Sequence, residues 1–129
     1  MNDILTHAKI QRRLCGEVKS MGPGTAEVEL TSTDDMAADA EGLVHGGFIF
    51  GQADYAAMLA INEPTVVLGS ADVRFVAPVR VGDVVLARAE LRDSAGKKRT
   101  VSVRATVAGR NVLTGTMTAF VLDQHVLAE

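Results

Sequence analysis

Val44-His45-Gly46-Gly47-Phe48-Ile49-Phe50-Gly51-Gln52-Ala53-Asp54-Tyr55-Ala56-Ala57-Met58-Leu59-Ala60-Ile61 is the stretch on which the fold turns. From Gly46 to Ile61 it has the length of a helix and is apolar nearly all round. A helix without a polar face is one that other elements enclose. Asn62-Glu63-Pro64 ends it. At its start, the amides of the first turn have no acceptor inside the helix, and the helix dipole favours negative charge there. The pair Gly46-Gly47 directly after His45 lets another backbone or a ligand come close to those amides. Such amides suit the oxyanion of acyl transfer. The glycines equally suit a tight loop-to-helix turn.

Asp54 is the one acid in this helix. Burying a carboxylate is unfavourable, so an acid here needs a partner or a task. It follows Gly47 by seven residues, close to two turns, so the two share a face about 10.5 Å apart along the axis. A carboxylate so placed can reach water or a carbonyl carbon bound between them. The alternatives are a solvent-facing position at a dimer seam or an ion pair with an arginine such as Arg74.

Outward from the helix the period changes. Val66–Val76, Val84–Arg92, Val101–Val107 and Val112–Leu122 alternate apolar with polar, as half-buried strands do. Ser94-Ala95-Gly96-Lys97 and Gly109-Arg110 read as turns between them. Upstream, Thr25–Leu30 alternates in the same way, and Glu17–Ser20 starts a strand before the turn Gly22-Pro23-Gly24. Thr31–Gly42 is polar and reads as one long loop. Residues 3–14 space Ile4, Leu5 and Ala8 on one face, which predicts a short N-terminal helix over about 3–15, stopped by Gly16. The sum is a single α+β domain over residues 1–129, one long central helix wrapped by a curved antiparallel sheet. One sheet leaves part of that helix uncovered, so a second subunit is expected.

Composition narrows the function classes. Among 129 residues, 13 Lys+Arg stand against 16 Asp+Glu, a formal net charge of -3, and aromatics are 4% with no Trp. Neither a basic face nor a base-stacking platform is implied, so nucleic acid is not the expected partner. No stretch approaches the roughly 18 apolar residues of a membrane helix, and no signal-peptide pattern is present. The lone Cys15 forms no intrachain disulfide, which points to a reducing, cytoplasmic setting, and it reads as packing rather than as a nucleophile. His7, His45 and His125 lie far apart and show no recurring ligand spacing, so neither metal nor cofactor is expected. No Lys-Ser/Thr follows the glycine pair, so this is not a phosphate loop.

The motif itself resembles the central motif of hot-dog-fold acyl-CoA thioesterases, in the branch related to the phenylacetate-pathway enzyme. That motif is HGG, a hydrophobic helix start, and an acid nine residues after the histidine, which lands on Asp54. The segment LGSADVRF (68–75), with Pro78, Gly82 and Asp83, is similar to the family's next strand and turn, and the similarity runs from about Gly42 to Leu122. The resemblance implies a hot-dog fold and hydrolysis of an acyl-CoA thioester. It implies Asp54 as general base or nucleophile, the Gly47 amide as oxyanion donor, His45 positioning that turn, and Ser70 helping to hold the attacking water. Gly46, Phe48, Gln52, Tyr55, Met58, Arg74 and Phe75 are the expected substrate-binding residues. Active sites at the interface of a homodimer follow, with further pairing into a tetramer. Arg80, Arg88, Arg92, Arg104 and the cluster Lys97-Lys98-Arg99 are candidates for the coenzyme A phosphates, although most suit solvated strand faces. One departure stands out: Asp39 occupies the place, six residues before the histidine, where many members carry Asn, and an ionised Asp donates no hydrogen bond.

FGQAD followed by SADVRF also resembles the acyl-CoA-binding effector domain of the malonyl-CoA-responsive repressor of bacterial lipid synthesis. That domain carries Asn where this chain has Asp54, and it follows a DNA-binding helix-turn-helix, for which residues 3–14 are too short. Acyl-CoA binding without turnover is therefore the alternative to hydrolysis. The acid–histidine motifs of hot-dog dehydratases are absent from the sequence.

Overall fold

The computed structural model describes residues 3–129 and builds them around one helix. This helix spans Gly46–Ile61, the range its composition predicts. Asn62 ends it in the left-handed conformation (φ 53°, ψ 50°), with its amide donating to the Met58 carbonyl at 2.8 Å. Ala53, Ala56, Ala57 and Ala60 are buried, and these small side chains let the sheet pack close along the helix. Among the described residues, no helix is long and apolar enough to cross a membrane.

Six antiparallel strands form the sheet: β1 (Glu17–Gly22), β2 (Thr25–Thr31), β3 (Val66–Phe75), β4 (Val84–Ala95), β5 (Lys98–Val107) and β6 (Arg110–Val121). Their spatial order is β1-β2-β4-β5-β6-β3, so β1 and β3 are the edges. Residues facing the helix, such as Val28, Leu30, Val85, Ala87, Val101, Leu113 and Met117, are all buried. This is the curved sheet around a central helix expected of a hot-dog fold. Glycine permits one close approach in it. A Cβ at Gly115 on β6 would meet the Asp72 carbonyl oxygen and lie 2.7 Å from Val73 Cα on β3.

Two segments depart from expectation. The helix foreseen over 3–15 forms only as α1, Arg12–Cys15; the long helix is accordingly α2. Residues 3–11 instead run as a strap over the end of α2. Asn62 Nδ2 donates to the Asp3 carbonyl at 2.8 Å, and the Leu5 amide donates to Asn62 Oδ1 at 2.8 Å. His7 has φ 54°, which no helix interior accepts. Ile4, Ile10 and Leu14 still reach the core, so the apolar spacing is real but is met without a helix.

The loop expected at Thr31–Gly42 is organised. It contains a 3-10 turn at Asp34–Met36 that buries Met36. The Ser32 hydroxyl faces the Arg80 and Asp83 carbonyl oxygens at 3.0 and 2.9 Å. The His45 amide donates to the Met36 carbonyl at 2.9 Å, and the Val44 amide to that of Val79 at 2.8 Å. These bonds set the entry to α2.

Candidate active site at the two ends of a helical stripe

His45 is the N-cap of α2 in extended conformation (φ -61°, ψ 128°), and its side chain caps nothing. Its carbonyl accepts from the Phe48 amide at 3.1 Å, while the Gly46 and Gly47 amides have no backbone acceptor among the described residues. The imidazole folds back over Gly47 instead. A Cβ there would lie 2.8 Å from His45 Nε2. On Gly46 lies the Phe75 ring, whose Cε1 would be 3.2 Å from an added Cβ. Both positions thus have reasons to be glycine beyond the turn itself. Beside them opens a groove of about 350 Å³, lined among others by Leu43, Ile49, Phe75, Val79 and Val112. Phe75 remains 54% exposed, so an apolar ring stands open next to two donor amides.

Two turns along the same face stands Asp54. It is half-buried, and its Oδ1 is enclosed without a hydrogen-bond partner. Burial pushes its carboxyl above the usual carboxylate range, while the nearby His7 charge works in the opposite direction. The Cys15 thiol is also pushed up, first by burial and then by the negative charge of Asp54. The carboxyl is therefore in a setting that favours taking up a proton. Held ionised there, it is a stronger base than an exposed aspartate.

Other expected residues fall elsewhere. Gln52 is held inside the chain, with its Oε1 enclosed and without a hydrogen-bond partner among the described residues. It is 0% exposed, and its Nε2 donates to the carbonyls of Val28 at 3.0 Å and Val85 at 2.8 Å. It ties α2 to β2 and β4. Tyr55 and Met58 are likewise enclosed in the core, whereas Phe48 is half-buried near the helix start. Ser70 is exposed and lies opposite Thr118, on the sheet face turned away from the helix. It alternates with Ala71, Val73 and Phe75, and a bulge at Gly69, between the pairs Leu68–Ala119 and Ser70–Thr118, separates it from inward Leu68. Arg74, opposite Thr114, shares that outer face, which removes it as an ion-pair partner for Asp54 within the chain. Asp39 builds its own loop: Oδ1 accepts from the Glu41 amide at 2.9 Å and the Leu43 amide at 3.2 Å. On the sheet, Arg88 pairs with Glu27 and Glu90, Arg92 with Glu90, and Lys97 with Asp123 at 3.1 Å. Sequence reading missed His7. Nothing at 47 residues' distance marks it as a neighbour of Asp54, since the helix expected there would have carried it elsewhere.

A buried helix inside a six-stranded, curved antiparallel sheet is the hot-dog fold. The chain belongs to the thioesterase superfamily, whose family model matches residues 41–114. A structure from Pyrococcus horikoshii, the uncharacterized protein PH1136, is 50% identical, with 98% of each chain covered and a TM-score of 0.97. A mutant of the phenylacetic acid degradation protein PaaI from Thermus thermophilus is 32% identical, over 84% of this chain and 95% of that one, with a TM-score of 0.78. A protein of Aquifex aeolicus named methylthioribose-1-phosphate isomerase is 45% identical over 94% of this chain. Transcription factor FapR of Caldanaerobacter subterraneus is 32% identical over 74% of it. The chain spans only 27% and 48% of these two longer relatives.

Proposed function

We propose that the protein hydrolyses an acyl-CoA thioester. The observation that carries this reading is the half-buried Asp54 carboxyl on a largely apolar helix, with one oxygen enclosed and unpartnered and its proton affinity raised by burial. In the reaction, Asp54 takes a proton from water as the water oxygen adds to the thioester carbonyl carbon. The carbonyl oxygen becomes an oxyanion and accepts from the Gly47 amide, with the dipole of α2 behind it. Collapse of the adduct breaks the C–S bond and expels the thiolate of coenzyme A, which needs no strong acid because thiols ionise near about pH 8.5. The groove beside Gly46 and Phe75 suits the apolar part of the acyl group. His45, stacked over Gly47, fixes the turn that presents the amide.

The unit we propose is a homodimer, able to pair further into a tetramer. Support comes from β3, a ten-residue edge strand whose Ser70, Ala71, Asp72, Arg74 and Phe75 are exposed, with Val76 open beyond it. A long open edge invites pairing with another copy. The test is release of free thiol from a panel of acyl-CoAs. Turnover that disappears in Asp54→Asn supports hydrolysis; saturable binding without thiol release refutes it. That second outcome is the alternative reading, an acyl-CoA-responsive module, which the similarity to a transcription factor favours.

A further inference from the structure

The groove beside Gly46 is apolar along its wall. Leu43, Ile49, Phe75, Val76, Val79 and Val112 line it, and among its described lining residues none carries a charged or hydrogen-bonding side chain. Leu43 and Val76 are 42% and 51% exposed, so apolar surface stands open here beyond the Phe75 ring. Leu43 and Pro78 also line a second groove, of about 300 Å³, whose remaining wall is Asp39, Glu41 and Arg80. The two grooves are therefore continuous at Leu43 and Pro78, the first apolar and the second a charged rim. Leu43 and Arg80 are joined by an antiparallel bridge, which fixes one groove against the other. The Asp39 carboxylate is held at this rim, because its Oδ1 accepts from the Glu41 and Leu43 amides. The Asp83 carboxylate in turn accepts from the Arg80 amide at 2.8 Å. Acids thus outnumber the one cation on the rim.

We propose that the substrate carries an uncharged, apolar acyl group of short to medium length, laid from Gly47 along the apolar groove with its free end toward the rim, and that Asp39 and Glu41 set this specificity against acyl groups ending in a carboxylate. The assignment rests on the reading of the Gly47 amide as the oxyanion donor, which seats the thioester carbonyl beside the groove. From there the methylenes of the acyl group cover the apolar walls, a gain roughly proportional to the area removed from water. A volume of about 350 Å³ stands near the lower end of ligand pockets, which run from about 300 to 1,000 Å³, so it takes a short or medium chain rather than a long one. A terminal carboxylate would lose its hydration against walls that offer it no donor side chain. One that passed Leu43 and Pro78 would meet Asp39 and Glu41, where like charges repel it. Arg80 attracts it, but against a larger number of acids.

Acyl-CoAs matched in length and differing only at the chain end isolate the effect: hexanoyl against adipyl, and octanoyl against suberyl. With thiol release as the readout at neutral pH, kcat/KM is expected to favour the methyl-ended member of each pair by about tenfold or more. A carboxyl-ended member used as well as its partner, or better, overturns the proposal. In the double variant Asp39→Asn/Glu41→Gln, the carboxyl-ended member of at least one pair is expected to gain about threefold or more relative to its partner. Asn still offers an oxygen to the Glu41 and Leu43 amides, so the loop keeps these bonds. If the double variant does not fold, Glu41→Gln alone, at an exposed position, is expected to move the ratio the same way. A ratio unmoved in both pairs overturns the proposal. If no member of the panel is hydrolysed, the proposed activity fails, while calorimetric binding of the same four acyl-CoAs still decides the groove. Tighter binding of the methyl-ended members then supports it, and equal binding overturns it.

Discussion

Replacing Asp54 by Asn should stabilise the protein at neutral pH, and the structure sets both the sign and the size. Burial raises the proton affinity of the folded carboxyl above that of an exposed aspartate. A group shifted in this direction contributes stability below its unfolded pKa and loses it as pH rises through the folded one. At neutral pH the native state must therefore hold an ionised, partly desolvated carboxylate, whereas in mild acid it need not. Asn removes the charge at every pH. An enclosed polar atom without a partner costs more when it is charged than when it is neutral, and Asn leaves a neutral one in place of Oδ1. Solvent also screens the open side of Asp54. The gain is the difference between the two penalties, about 1 kcal/mol, or about 3–5 °C in Tm for a chain of this size. Thermal denaturation of both proteins at one fixed concentration, at about pH 7.5 and about pH 4, measures it. The gap should shrink toward zero at the acid end. An Asn variant that is less stable at neutral pH, or a gap equal under both conditions, refutes the reasoning about burial.

Gly47→Ala brings a methyl within 2.8 Å of His45 Nε2; because His45 is exposed, its ring can swing aside, and helix propensity gains up to about 1 kcal/mol. Stability should hold or rise while kcat/KM drops by about tenfold or more as the methyl crowds the oxyanion position, a split that parallel denaturation and thiol-release assays detect. Gln52→Leu should do the opposite. It removes the two hydrogen bonds to Val28 and Val85, costing about 2 kcal/mol in urea denaturation, with KM for acyl-CoA unchanged; a large rise in KM would restore Gln52 to the ligand site.

Alternation and length made most of the fold legible. Gly46–Ile61 is helical over the range its apolar run marks, and the four strands after Pro64 fall where polar and apolar residues alternate. What was not legible shares a cause: each feature depends on a partner distant in sequence. The apolar spacing of Ile4 and Ile10 is the same for a helix and for a strap, and only Asn62, at the far end of α2, selects the strap. Ser70 has the parity of Asp72 and Arg74, opposite to Ala71, Val73 and Phe75, while the bulge at Gly69 turns Leu68 inward, and a bulge is set by the opposing strand. Gln52 looked like a polar group awaiting a ligand because the carbonyls it serves come from Val28 and Val85, on two other elements. The spacing of Gly47 and Asp54 was readable because a single helix fixes it, whereas His7 comes to lie against Tyr55 only through the tertiary fold.

That same helix raises a question of reach that a mixing experiment answers. Asp54 and Gly47 lie about 10.5 Å apart along α2, whereas a base and an oxyanion donor each act over about 3 Å from the reacting atoms. A carbonyl seated on one Gly47 is more readily served by Asp54 of a second copy, brought in across the open β3 edge. Asp54→Asn and Gly47→Ala then damage different halves of each composite site. In a mixed dimer of the two variants, one site combines the intact Asp54 of one chain with the intact Gly47 of the other, and the second site carries both lesions. With random exchange, half the dimers are mixed and half their sites are whole, so activity should recover to about a quarter of wild type. Each variant alone remains at its own low level. Sites contained within one chain predict no recovery at any mixing ratio, because every chain then carries a lesion in its own site. Unfolding and refolding the two variants together, then assaying thiol release against each refolded alone, separates these outcomes.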